Sequence, residues 1–169
     1  LLLPGDPLVG PRVARAHQMA ADSAPPAAKA QLFEGLGDYH FPVSTKSKLA
    51  QRWFDQGLIL FYGFNLDEAG LSFREATRVD PTCAMAWWGV ALANGPHVNN
   101  PGMDPAHAEA AHTAILKARS LAAGATARER DYIEALATRY AFPLPADTGP
   151  LYRAYAEALR GLMKKYPKD

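Results

Sequence analysis

Trp53 and Trp87 stand 34 residues apart, and Gly57 and Ala91 keep the same interval. An aromatic residue followed four positions later by a small one, returning at a fixed distance, limits the possible folds more than any total does. Units of that length cannot bury an apolar face alone, so they stack and cover one another. The small residue lets two helices approach, and the aromatic fills the space between successive pairs. The pattern predicts an all-α chain of antiparallel helix hairpins stacked as a short solenoid.

Apolar periodicity agrees. Between Ser47 and Gly63 the residues Trp53, Gly57, Leu60 and Phe61 form one helical stripe. In "NLDEA", Asn65 is placed to cap a second helix, with Glu68 completing the capping arrangement three residues on. Ala69, Phe73 and Ala76 are its inner stripe, and Asp80-Pro81 ends it. A third helix, from about Thr82 to Asn94, is apolar nearly all round and is expected at the centre. After a loop from Gly95 to Met103, Asp104 as N-cap and Pro105 at the first helical position open a helix to about Ala122. "TARE", Thr126 to Glu129, is a capping box for a helix reaching Tyr140, and a last helix runs from about Pro150 to Tyr166.

Residues 1–45 read differently. Pro4, Pro7, Pro11, Pro25, Pro26 and Pro42 leave room only for short helices, the best being Pro11 to Ala21, so this is an irregular arm ahead of a repeat domain at 46–169. With 18 basic and 17 acidic residues, and no basic block outside "MKKYPKD", a nucleic-acid partner is not expected. The single cysteine, Cys83, forms no intrachain disulfide and no CxxC knuckle. No apolar run approaches the ~18 residues of a membrane helix, so no membrane insertion is expected. "LLLPGDPLVG" is consistent with the tail of a removed export signal, which favours export over the cytoplasm without establishing it.

Residues 53–81 place Trp53, Gln56, Gly57, Leu60, Ala69, Phe73, Ala76 and Pro81 in the order W-x₂-Q-G-x₂-L, A-x₃-F, A, P. This resembles the tetratricopeptide repeat, with Gln56 and Leu60 in place of its usual Leu and Tyr. A second copy starts at "AMAWWGVA" with Trp87, Val90 and Ala91, and its second helix, with Ala111, Ile115 and Ala118, arrives eight residues late. A third uses Ile133, Leu136, Ala137 and Tyr140, then Ala154 or Tyr155. The phrases "LGDYHFPVST", "WFDQGL", "FNLDEA" and "CAMAWWGVALANGP" resemble a bacterial tetratricopeptide-protein group. The resemblance implies about three hairpins, the second with an insertion at 95–104, and a chain that is usually longer than this one.

Chemistry is sparse. His17, His40, His97, His107 and His112 make no HExxH or HxxxH, and His107 and His112 are too far round a helix to share an ion. His40 and His97, with Cys83 or Asp38 nearby, are the remaining metal candidates, although no metal is expected. Cys83 sits at a helix start, where thiolate character is possible, but a packed thiol is the simpler reading. No P-loop, nucleophile elbow or dinucleotide turn occurs, so no cofactor and no catalytic residue is nominated.

The leading expectation is a non-catalytic module for protein–protein interaction or assembly, binding a protein or peptide or assembling into a homo-oligomer or filament. The resemblance puts Phe54, Leu58, Phe61, Tyr62, Met85, Trp88 and Leu92 along a largely apolar groove. Its near lack of charge departs from the tetratricopeptide grooves that clamp a terminal carboxylate. Asn94, His97 and Asn99 on the insertion loop are added candidates. An open apolar groove would be a large exposed patch, so residues 30–45 are expected to lie over it, leaving a ligand pocket between that arm and the loop. The competing expectation is a metal- or cofactor-dependent enzyme, or its accessory subunit, using His40, His97 and residues 94–103.

Overall fold

Ser47 ends the arm by accepting a hydrogen bond from the Ala50 amide, and the first helix, α1 (Lys48–Tyr62), starts there. The computed structural model describes residues 29–169; the expected helix at Pro11 to Ala21 lies outside them. After α1 come α2 (Leu66–Val79), α3 (Ala84–Ala93), α4 (Pro105–Leu121), a short 3₁₀ turn, α5 (Ala127–Ala137) and α6 (Gly149–Lys165). Among the described residues the architecture is all-α, without a strand. No helix among them is long and apolar enough to cross a membrane.

Several boundaries follow the expected local chemistry. Asp104 accepts from the His107 amide at 2.9 Å with Pro105 at the first turn. Thr126 and Glu129 make the reciprocal capping box. Two expectations are corrected. Asn65 occupies the cap position of α2 but its side chain makes no capping bond, and the helix start is served instead by the charges of Asp67 and Glu68 in the first turn. Helix α5 stops at Ala137, short of Tyr140. At the end of α1, the Gly63 amide returns to Ile59 O and the Asn65 amide to Leu60 O, which puts Phe64 at φ 61. The left-handed seat that glycine usually takes falls one residue late, on an aromatic.

Each helix packs on its sequence neighbours, and α1 also packs on α3 and α3 on α5, so the odd-numbered helices share one layer. Phe73 of α2 is the central plug. It is wholly buried, and a Cβ on Gly57 of α1 or on Gly89 of α3 would come within 2.6 Å or 2.2 Å of its ring. Both helix backbones therefore lie directly on the ring, and the small residues are required by that approach. Trp53, Phe73 and Ile115 are buried as the spacing predicts, but Trp87 is a correction: it is half-buried, donating Nε1–H to Pro81 O. The core seat belongs to Trp88, whose Nε1–H donates to Tyr132 O at 3.1 Å. In the third pair Ile133, Leu136 and Tyr140 are buried, and the last helix turns Tyr155 inward while Ala154 is exposed.

Candidate functional site

The arm's last residues form an extended strap. Helix side chains, not a second strand, satisfy its backbone. Gln56 Oε1 accepts from the Phe33 amide, Asp55 Oδ1 from Phe41, Gln51 Oε1 from Val43 and Glu129 Oε1 from Ser44, while Gln51 Nε2 donates to Phe41 O. Phe41 packs on Phe54 of α1 and edge-on to Tyr132 of α5, with the Arg128 guanidinium 4.3 Å from its ring centroid. Arg128 also donates to Pro42 O. The strap thus spans from α1 to the start of α5 across the layer of odd-numbered helices.

Two carboxylates lock its end. Glu129, 1% exposed, accepts from the Ser44 amide and hydroxyl at 2.5 Å each and from the Thr126 amide and hydroxyl. Burial raises its pKa, but these four donors outweigh burial and hold it below the ordinary value. Asp80 accepts from the Thr45 hydroxyl at 2.5 Å and from Thr82, and again the donors outweigh burial to keep its pKa low.

The residues of the expected groove divide between core and surface. Phe54, Leu58, Met85, Trp88 and Leu92 are buried, so the expectation that they line an accessible wall is corrected: they are core. Phe61 is half-buried, and Tyr62, stacked edge-on to it, is 69% exposed. Phe64 is exposed beside them. Burial, then the Tyr39 hydroxyl, raises the Tyr62 pKa.

The insertion between α3 and α4 is braced. His97 and Asn100 exchange two backbone hydrogen bonds of 3.0 Å. Arg139 Nη2 donates to Pro96 O at 2.7 Å and stacks on Tyr155, and the Tyr152 hydroxyl donates to Pro101 O. Gly95 lies against Tyr140, whose hydroxyl a Cβ there would meet at 2.1 Å and which donates to Ala91 O. Beneath the loop lies a cavity of about 440 Å³ lined by Asn94, His97, Asn100, Asp104 and His107, closed on the far side by Leu66 and Asp67 of α2. No strap residue lines it, so the expected pocket between arm and loop is corrected: α2 supplies the opposite wall. Asn94 and His97 are half-buried; Asn99 is exposed and outside the cavity.

His40 and His97 do not share a site. His40 Nδ1 pairs with Asp55 at 2.8 Å and lines a separate cavity between the strap and α1. Among the described residues no three His, Cys, Asp or Glu side chains are grouped to hold a metal ion. Cys83 is buried, and burial pushes its thiol up to about 11, in keeping with the packed-thiol reading. Nothing in the sequence marked the strap's partners: Gln51 and Asp55 read as ordinary helix-surface residues, and Glu129 only as part of its capping box. No protein-family model, curated protein or solved structure matches this chain.

Proposed function

We propose that the chain is a non-catalytic helical-repeat module of tetratricopeptide type that binds an extended segment of a partner protein along its odd-numbered helices. The observation that carries this reading is the strap. The chain holds one of its own extended segments there, using helix carboxylates and amides for the backbone and an aromatic slot for Phe41. A partner segment would meet the aromatic part of this chemistry at Phe61 and Tyr62 of α1, which carries no carboxylate or amide side chain after Gln56. Tyr62 and Phe64 are large, exposed and unneeded by the core, and Phe64 holds a φ that bulky residues avoid. Support for the repeat assignment comes from Phe73 between Gly57 and Gly89, since close helix approach around one aromatic is what the sequence pattern requires.

The test is selection from a random peptide library displayed on phage, followed by fluorescence polarisation with the recovered peptides. Binding should saturate, and Tyr62→Ala should weaken it by about tenfold or more, as expected for an aromatic anchor. Peptides that bind Tyr62→Ala as tightly as the native chain would overturn the assignment of this surface.

A further inference from the structure

A hairpin repeat needs only a tight turn between its helices, yet the insertion loop is tied by Arg139 to the segment that follows α5 and by Tyr152 to α6, lies at Gly95 against Tyr140, and is braced internally by the His97–Asn100 pair. Such bracing pre-forms the cavity beneath it, which removes the ordering cost that a flexible loop would add to binding. The polar groups of that cavity are unevenly matched. His97 Nδ1 is wholly buried and has no hydrogen-bond partner among the described residues. Asn94 uses its amide N–H on Val90 O, which leaves its side-chain oxygen to accept. Asp67 takes part in no ion pair among the described residues, and Asp104 is engaged by His107 through both oxygens. No lysine or arginine lines the space, while Leu66, Ala93 and Met103 give it apolar wall.

We propose that this cavity is a binding site for an alkylammonium group, supplied by a lysine side chain of a partner or by a free primary amine. An ammonium carries three donors and no acceptor, and Asp67 and the Asn94 side-chain oxygen offer acceptors from α2 and from the end of α3. The methylene stem would lie on Leu66, Ala93 and Met103. An anion would meet Asp67 and Asp104. A divalent ion would need a tighter group of carboxylates and imidazoles than the described residues contain. The lysine form rests on the reading of the chain as an interaction module; the ammonium site itself does not.

The experiment is a titration of the ¹⁵N-labelled chain followed by amide chemical shifts. n-Butylammonium chloride should give saturable shifts at Gly95, His97, Asn100 and Gly102, and n-butanol of equal size should give none. Asp67→Asn should weaken binding by about fivefold, the upper range for one exposed charge, while Glu157→Gln on α6 should leave it unchanged. Equal shifts with n-butanol, saturation by calcium chloride alone at the same amides, or an Asp67→Asn variant that binds as the native chain does would each overturn the proposal. The capped tripeptide Gly-Lys-Gly separates the sources: tighter binding than n-butylammonium supports a partner lysine, and weaker binding overturns that form. Failure of peptide binding at Tyr62 leaves this titration unaffected, so the two readings fail independently.

Discussion

Replacing Gly89 with Ala tests whether the glycine-lined seat of Phe73 organises the stack. The added carbon would lie 2.2 Å from Phe73 Cδ1 and 2.6 Å from Cε1 and Cγ, against the roughly 3.5–4.0 Å at which carbon atoms attract one another. Relief requires a relative shift of more than about 1 Å between α3 and the ring. The ring cannot yield easily, because it is 0% exposed, Gly57 closes its other side, and Phe54 sits 5.6 Å away centroid to centroid. Overpacking of this kind costs about 1–3 kcal/mol, and Ala in place of a helical Gly returns about 1 kcal/mol. The expected net is a loss of up to about 2 kcal/mol, where an ordinary helix Gly→Ala change gains about 1 kcal/mol. Gly161 on α6 supplies the control: a Cβ there meets nothing within 4 Å, so Gly161→Ala should stabilise by about 0.5–1 kcal/mol. Urea unfolding followed by tryptophan fluorescence measures both. Phe73→Leu, which slims the plug, should recover part of the loss, so that the double variant is less destabilised than the sum by about 1 kcal/mol. A Gly89→Ala chain at least as stable as the native one, or strict additivity with Phe73→Leu, would refute the reasoning.

Glu129→Gln should cost about 1–3 kcal/mol at neutral pH, because a four-donor acceptor site is broken. Since the folded-state pKa of Glu129 is lowered, its contribution is complete above the unfolded-state value and is lost as pH falls through the folded one. The native chain should therefore lose more stability on acidification than Glu129→Gln does, as read from urea midpoints at several pH values. Trp88→Ala should cost about 3–5 kcal/mol and Trp87→Ala clearly less, because only Trp88 fills the core; equal unfolding midpoints would reverse that assignment. Deleting residues 1–45 should uncover Phe54 and Tyr132 and produce dye binding or aggregation, and a monomeric, dye-silent deletion variant would show that the strap does not cover the core.

What the sequence made legible was what neighbouring residues decide. Asp104 with Pro105 and Thr126 with Glu129 each carry their whole capping chemistry within a few positions, and both form. Asn65 has the right residue type but lies one position after Phe64 at φ 61, and its side chain makes no cap. Trp87 and Trp88 are adjacent on a helix that is apolar nearly all round, so periodicity had no polar face from which to choose the inward one; the repeat interval pointed to Trp87, and packing against Tyr132 gave the seat to Trp88. Proline and aromatic content in "YHFPVST" suggested that the arm would lie on the first helix, and Phe41 on Phe54 agrees. Its anchor on Glu129 was not legible, because Ser44 and Glu129 are 85 residues apart and Glu129 already had a local role in its capping box.

That double use of Glu129 bears on what a partner can reach. One carboxylate both starts α5 and holds Ser44, so releasing the strap would also weaken the helix cap behind it. Phe41 is bound in the same way to elements far apart in the chain, with Phe54 on one side and Tyr132 and Arg128 on the other. Displacing the strap would therefore break several buried contacts together, and a partner segment would have to replace all of them to take its place. Binding beside the strap costs none of this. On the binding proposed above, recognition falls to the far end of α1, where Tyr62 and Phe64 stand exposed, and to the loop-covered cavity lined from Leu66 onward. Together the two proposals call for a segment that carries a basic residue near an apolar one, in either order along the chain.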